Sequence, residues 1–238
     1  GLKKNHNLLK KRKQKSIITH TYEKSDFQII YGINEKEYNR KDHYIISSSI
    51  CDAVAIGPVI NLLDSNFDII NGSITTLHPW LSYQNLMDGP SRSYAYPGKL
   101  IENFALGRAS TETLLPKRTS CVDALIKSMP SIKDKFISMS VRVPTQIVSS
   151  AIINLNFKDK INNTMSLNII NNFINQQKTK IISLNKDQCV SKDFIANEYS
   201  CIIDERWLET KDKSLRLFVW YDNEYGYSSR VLDLIKNI

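Results

Sequence analysis

Between Cys51 and His78 the hydrophobic pattern changes period, and this switch constrains the fold more than any other feature of the sequence. Ala53, Ile56, Val59, Ile60 and Leu63 recur at helical spacing, which predicts a helix that begins near Cys51 and ends before Asn66. The β-branched stretch 69–77 then predicts a long strand with His78 at its end. Such a helix and such a strand bury their apolar faces only against each other or against further elements of both kinds. Further strands are expected at 16–20, 27–32, 44–47, 136–143, 147–157, 202–203 and 215–220, and helices at 4–14, 121–129, 167–174 and 227–238. The segment 79–116, broken by Pro90 and Pro97, reads as one long loop. Strands and helices mix along the chain, with hairpin-like neighbours late in it. The expected class is therefore α+β, a largely antiparallel mixed sheet covered by helices.

The chain has 238 residues, 42% of them hydrophobic, which suffices for a sizeable core. No uncharged apolar run approaches the roughly 18 to 20 residues of a membrane span, and no signal-peptide pattern opens the sequence, so no membrane partner is expected. The chain opens at Gly1 in a helix-like pattern, which suggests a piece of a longer protein. Net charge is +8, and the densest basic run is Lys10, Lys11, Arg12, Lys13 and Lys15. It is read as a solvated helix face without an aromatic stacking platform, and nucleic acid is not expected as a partner. Cys51, Cys121, Cys189 and Cys201 form no CxxC pair, and no histidine stands at zinc-ligand spacing from them. Reduced thiols in a cytoplasm, and no metal, are the expectation.

Cys51 falls where a strand turns into a helix. There the positive end of the dipole and unpaired N–H groups lower a thiol pKa. His78, at the end of the next strand, is placed to return to the same edge, and a Cys–His pair is one way to make a thiolate at neutral pH. The residues alone also allow a buried structural cysteine and a satisfied structural histidine.

Several segments occur in the same order as in one family. Trp220 to Val231 (WYDNEYGYSSRV) resembles the closing signature of the glyceraldehyde-3-phosphate dehydrogenases. Ser140 to Thr145, Thr75 to His78 and Asp88 to Ser91 are similar to three more of their segments, and Tyr31 to Asn34 with Ile45 to Ser47 to the lead-in to the nucleophile. The resemblance implies an NAD(P)-dependent oxidation of an aldehyde, a sugar or sugar phosphate, through a thiohemiacetal and a thioester on Cys51, with His78 as base. It also implies that Asn223 holds the nicotinamide carboxamide, with Tyr227 as the neighbouring aromatic or as a core residue. Arg142 and Thr119 correspond to anion ligands, and Arg108 to a structural or interface position. NAD or NADP would be bound mainly by an N-terminal domain that this chain lacks, since no GxGxxG occurs in it. Residues 1–47 are then the end of the dinucleotide-binding region with lead-in strands, and 48–238 the catalytic domain, in a homo-oligomer, tetramer or dimer.

The departures concentrate at the nucleophile. Where the family reads Ser-Cys-Thr-Thr-Asn, this chain reads Ile50-Cys51-Asp52-Ala53-Val54, and Ser120 replaces a glycine. A carboxylate at Asp52 repels a phosphate dianion and raises the thiol pKa. The expectation is an aldehyde other than glyceraldehyde 3-phosphate, with acyl transfer to phosphate impaired or replaced by hydrolysis. The alternative is a divergent, non-catalytic relative acting as a binding or oligomerisation module.

Overall fold

A computed structural model describes residues 7–9, 11–92, 98–101 and 103–238. Residues 7–9 and 11–12 are helical, and the rest of the expected N-terminal helix lies partly outside the described residues. Three short strands follow, β1 (Ser16–Ile18), β2 (Phe27–Gln28) and β3 (Ile45–Ser47), in a parallel sheet of order β1-β3-β2. The strand expected over 27–32 stops at Gln28. The next residues enter a turn in which Asn34 Oδ1 accepts from the Ile30 N–H and Asn34 Nδ2 donates to the Gln28 carbonyl. Side-chain amides of this kind offer the backbone an alternative to a ladder.

Helix α1 (Cys51–Phe67) runs beyond the expected end at Asn66 and stops at Asp68, whose φ of 52° is left-handed. It is buried on most of its circumference because it lies inside the molecule. Gly57 allows a close crossing with α2 (Cys121–Ser128): a Cβ there would stand 2.6 Å from Leu125 Cδ2 and 2.7 Å from Ile33 Cδ1.

The second sheet is built from β4 (Ile69–Pro79), β5 (Leu115–Lys117), β6 (Phe136–Val143), β7 (Ser149–Phe157), β8 (Ile182–Asn185), β9 (Cys201–Asp204), β10 (Glu209–Lys211) and β11 (Ser214–Tyr221). Its order is β5-β6-β4-β7-β11-β9-β8, with β10 paired to β11. The β4–β6 and β8–β9 pairs are parallel and the other pairings antiparallel. Helices α3 (Asn163–Gln176) and α4 (Tyr225–Asn237) join α1 and α2. This is an α+β architecture with a largely antiparallel mixed sheet. Strands β5, β8 and β10 have no counterpart in the sequence reading, because each is too short for alternation to register. The loop expected over 79–116 carries an Arg92–Leu100 bridge and a 3-10 turn at Phe104–Gly107, and β5 begins within it.

Alternation decides what this sheet buries. The inward positions Ile74 on β4, Ala151, Ile153 and Leu155 on β7, and Leu215, Leu217 and Val219 on β11 form the core with Ile56, Ile60, Leu63 and Leu125. At one end of the sheet the inward positions turn polar: His78, Arg142, Ser149 and the phenol of Tyr221. Ile74 is fully buried, so Ile74→Ala is expected to destabilise the fold by about 2–5 kcal/mol. Urea unfolding would show this as a lower midpoint at unchanged slope.

Candidate active site

The polar end of the sheet is where β4, β6 and β11 finish and β7 begins. In the parallel register of β4 and β6, His78 stands beside Arg142 and Thr76 beside Ser140. The Thr76 hydroxyl donates to Ser140 Oγ at 2.8 Å. On the antiparallel side Tyr221 is opposite Ser149. Cys51 reaches this edge from the other chain direction. Ser49, at φ 62°, turns the chain left-handed after β3, Ile50 stays extended, and Cys51 opens α1. A non-glycine residue in that region costs of order 1–3 kcal/mol and persists where its surroundings hold it. Here the Ser49 carbonyl accepts from the Tyr227 hydroxyl at 3.2 Å, and that hydroxyl also lies 2.7 Å from Ser48 Oγ.

The cleft has a volume of about 650 Å³, and Cys51, Asp52, His78, Thr119, Ser120, Arg142 and Asn223 all line it. Cys51 Sγ lies 3.8 Å from His78 Nε2 and 3.6 Å from Asp52 Oδ1. His78 Nδ1 is 2.9 Å from the Pro79 carbonyl, which only accepts, so Nδ1 carries the proton and Nε2 turns its lone pair toward the sulfur. The thiol hydrogen therefore has two acceptors. Asp52 is buried, and its Oδ1 also accepts from the Tyr221 hydroxyl at 2.8 Å.

The electrostatics run against a resting thiolate. Burial and then the Asp52 carboxylate push the Cys51 pKa up, with Arg142 opposing weakly. Burial pushes the His78 pKa down, Asp52 pulls it back up, and Arg142 and Lys117 add to the depression. The start of a helix was expected to lower the thiol pKa. Desolvation and the adjacent carboxylate outweigh it, so the resting pair is a neutral thiol and a neutral imidazole. Alkylation of Cys51 by iodoacetamide is thus expected to keep rising with pH past about 8.5, the range of an ordinary thiol. A plateau reached near neutral pH would contradict this.

Arg142 is buried, and its Nε and Nη1 have no hydrogen-bond partner. Arg142 stands in the wall of the cleft, and a buried guanidinium there suits an anionic ligand group. Thr119 Oγ1 accepts from the Cys121 N–H at 3.1 Å, which ties that hydroxyl to the start of α2, and Ser120 is the residue before the helix. Asn223 Oδ1 accepts from Ser149 Oγ at 3.2 Å, which orients the amide at the rim of the cleft. Tyr227 is engaged with the backbone behind the nucleophile. Arg108 lies away from the cleft, in an exposed ion pair with Asp88 at 3.1 Å. Lys117, Arg118 and Tyr221 were not singled out from the sequence. Lys117 and Arg118 follow Pro116 directly before Thr119, and only the pairing of β5 with β6 brings them to the cleft.

A larger cavity of about 830 Å³ lies elsewhere, along Tyr31, Gly32, Phe173, Gln177, Leu234 and Asn237, and brings together no comparable set of reactive groups. The four cysteines are free. Among the described residues no helix is long and apolar enough to cross a membrane.

Residues 50–223 match the model of the glyceraldehyde 3-phosphate dehydrogenase C-terminal domain. The chain is 31% identical over 208 residues to the testis-specific glyceraldehyde-3-phosphate dehydrogenase of Mus musculus, covering 87% of this chain and 45% of that protein. It is 31% identical over 222 residues to the cytosolic enzyme of Antirrhinum majus, covering 93% and 63%. With glyceraldehyde-3-phosphate dehydrogenase 2 of Bacillus subtilis (strain 168) the identity is 29% over 229 residues, covering 94% and 64%. The chain thus spans about half to two thirds of the length of these curated relatives.

Proposed function

The chain belongs to the glyceraldehyde-3-phosphate dehydrogenase family, and from that premise we propose that it is the catalytic domain of an NAD(P)-dependent aldehyde dehydrogenase working through Cys51 and His78. One observation carries the reading: a thiol 3.8 Å from an imidazole nitrogen whose tautomer is fixed by a backbone carbonyl.

In this reading Cys51 Sγ attacks the aldehyde carbon while its proton passes to His78 Nε2 and on to the new oxygen, giving a thiohemiacetal. His78 Nε2 then takes the hydroxyl proton as the carbon gives up its hydride, and a thioester remains on Cys51. The dinucleotide supplies the hydride acceptor. The primary amide of Asn223 suits its carboxamide, whereas nothing in this chain corresponds to a glycine-rich turn for its phosphates. Residues 1–47 would then close a dinucleotide-binding region and residues 48–238 carry the chemistry. A cytoplasmic homo-oligomer assembled through the outer sheet face, where Ile137 and Met139 are exposed, belongs to the same proposal.

The Arg142 guanidinium in the wall of the cleft supports an anionic group on the aldehyde. Arg142→Gln is expected to raise KM for a phosphorylated or carboxylated aldehyde roughly ten- to hundredfold, the worth of a charge-assisted hydrogen bond of about 1.5–3 kcal/mol. KM for an uncharged aldehyde should stay unchanged. Asp52 disfavours a second phosphate beside the sulfur, so the thioester is expected to go to water. Reduced dinucleotide should form in phosphate-free buffer, with the free acid as product. Turnover that requires phosphate would refute the hydrolytic step. An intact, folded protein that binds a dinucleotide but reduces it with no aldehyde would refute the dehydrogenase reading itself.

A further inference from the structure

We propose that Cys51, Asp52 and His78 form a three-ligand site for a divalent ion of the zinc class, with the fourth position open to the cleft. The donor atoms of the three side chains all lie within 4.8 Å of one another. Two edges of the triangle are already short, 3.6 Å from Sγ to Asp52 Oδ1 and 3.8 Å from Sγ to His78 Nε2. A tetrahedral zinc ion with one sulfur, one nitrogen and one oxygen ligand spaces these atoms about 3.4–3.6 Å apart.

The chemistry of the donors fits as well as their spacing. A thiolate, a carboxylate and a neutral imidazole suit a borderline-soft dication, and their two negative charges match it. His78 is braced from behind by its Nδ1–H on the Pro79 carbonyl. Asp52 is held by the hydrogen bond its Oδ1 accepts from the Tyr221 hydroxyl, which leaves that oxygen a further lone pair. Such outer contacts fix ligand orientation at metal centres. Arg142, on the neighbouring strand, and Lys117 and Arg118, which line the same cleft, are the cations that oppose binding. As the ion enters, the Sγ–H bond breaks, its proton leaves to solvent, and a metal–sulfur bond replaces it. Asp52 is the decisive residue, since without it the edge offers only a Cys–His pair. Sequence spacing does not reveal the site, because the ligands stand at 51, 52 and 78 and meet only through the helix–strand return.

Its ligands include the nucleophile and base of the proposed dehydrogenase chemistry, so a bound ion and turnover exclude one another. The test therefore measures metal binding and no turnover. The purified chain is titrated with Co²⁺ and then Zn²⁺. One equivalent of Co²⁺ should produce thiolate-to-cobalt charge transfer and intense tetrahedral ligand-field bands, which Zn²⁺ displaces. Zn²⁺ should also block alkylation of Cys51. Cys51→Ser should lose the charge-transfer band although the other three cysteines remain. Asp52→Asn, close in shape, and Asp52→Thr should each weaken Zn²⁺ binding roughly tenfold or more, with circular dichroism confirming a folded chain. Absence of the cobalt–thiolate band, its survival in Cys51→Ser, or unchanged affinity in a folded Asp52 variant would overturn the proposal. Failure to oxidise aldehydes would leave it standing, and failure to bind metal would leave the dehydrogenase reading standing.

Discussion

Replacing His78 with alanine is expected to lower aldehyde turnover by about 10²- to 10⁴-fold, the usual contribution of a positioned general base. In the proposed mechanism the imidazole performs two proton transfers, one as the sulfur attacks and one as the hydride departs. Asp52 offers the sulfur a second acceptor at 3.6 Å, so it can stand in for His78 in the first transfer. Its Oδ1 is also held by Tyr221, which leaves it poorly placed to follow the substrate oxygen. The loss should therefore appear mainly in kcat, with Cys51 alkylation slowed less than turnover. Equal loss in both would make His78 an activator of the thiol alone. The substitution removes a buried ring at the end of β4, so near-ultraviolet circular dichroism should accompany the kinetics to show that packing survives.

Replacing Asp52 with threonine is expected to accelerate iodoacetamide labelling of Cys51 roughly tenfold at neutral pH, about 1.4 kcal/mol in favour of the thiolate. The sign follows from the causes of the raised pKa. Burial stays, but the adjacent negative charge and the hydrogen bond that favours the thiol both go. The thiolate then appears at lower pH, and the pH profile of labelling moves in the acid direction. On the proposed hydrolytic reading the same change also removes a charge that repels phosphate, so product release should become responsive to phosphate. Tyr221 loses its acceptor in this variant, and a modest loss of stability should accompany the gain in reactivity. Slower labelling would show that Asp52 draws the proton from the sulfur instead of suppressing its ionisation.

Much of the main sheet was legible in the sequence because its strands are long and alternate. Strands β4, β6, β7 and β11 lie close to their expected bounds, and α1 starts at Cys51 as its apolar spacing required. What escaped was short or locally diverted. Residues 29–32 are as apolar as a strand, yet Asn34 captures the backbone of Gln28 and Ile30 and turns the chain. Strands β5 and β10 have three residues each and hydrogen-bond to the longer β6 and β11, while β8 has four and pairs with the equally short β9.

By itself the sequence determined the class of the fold, the helix that begins at Cys51, the strand that ends at His78, and the motifs that identify the family. These are properties of local period and of residue order, which the chain carries at every point. Tertiary structure alone decided which polar residues share one cleft and what they do to each other. The parallel register of β4 and β6 sets His78 beside Arg142, and the return of α1 lays Cys51 and Asp52 against them. Burial then reverses the local expectation for the thiol, because desolvation and a carboxylate at 3.6 Å act more strongly on it than the end of a helix dipole.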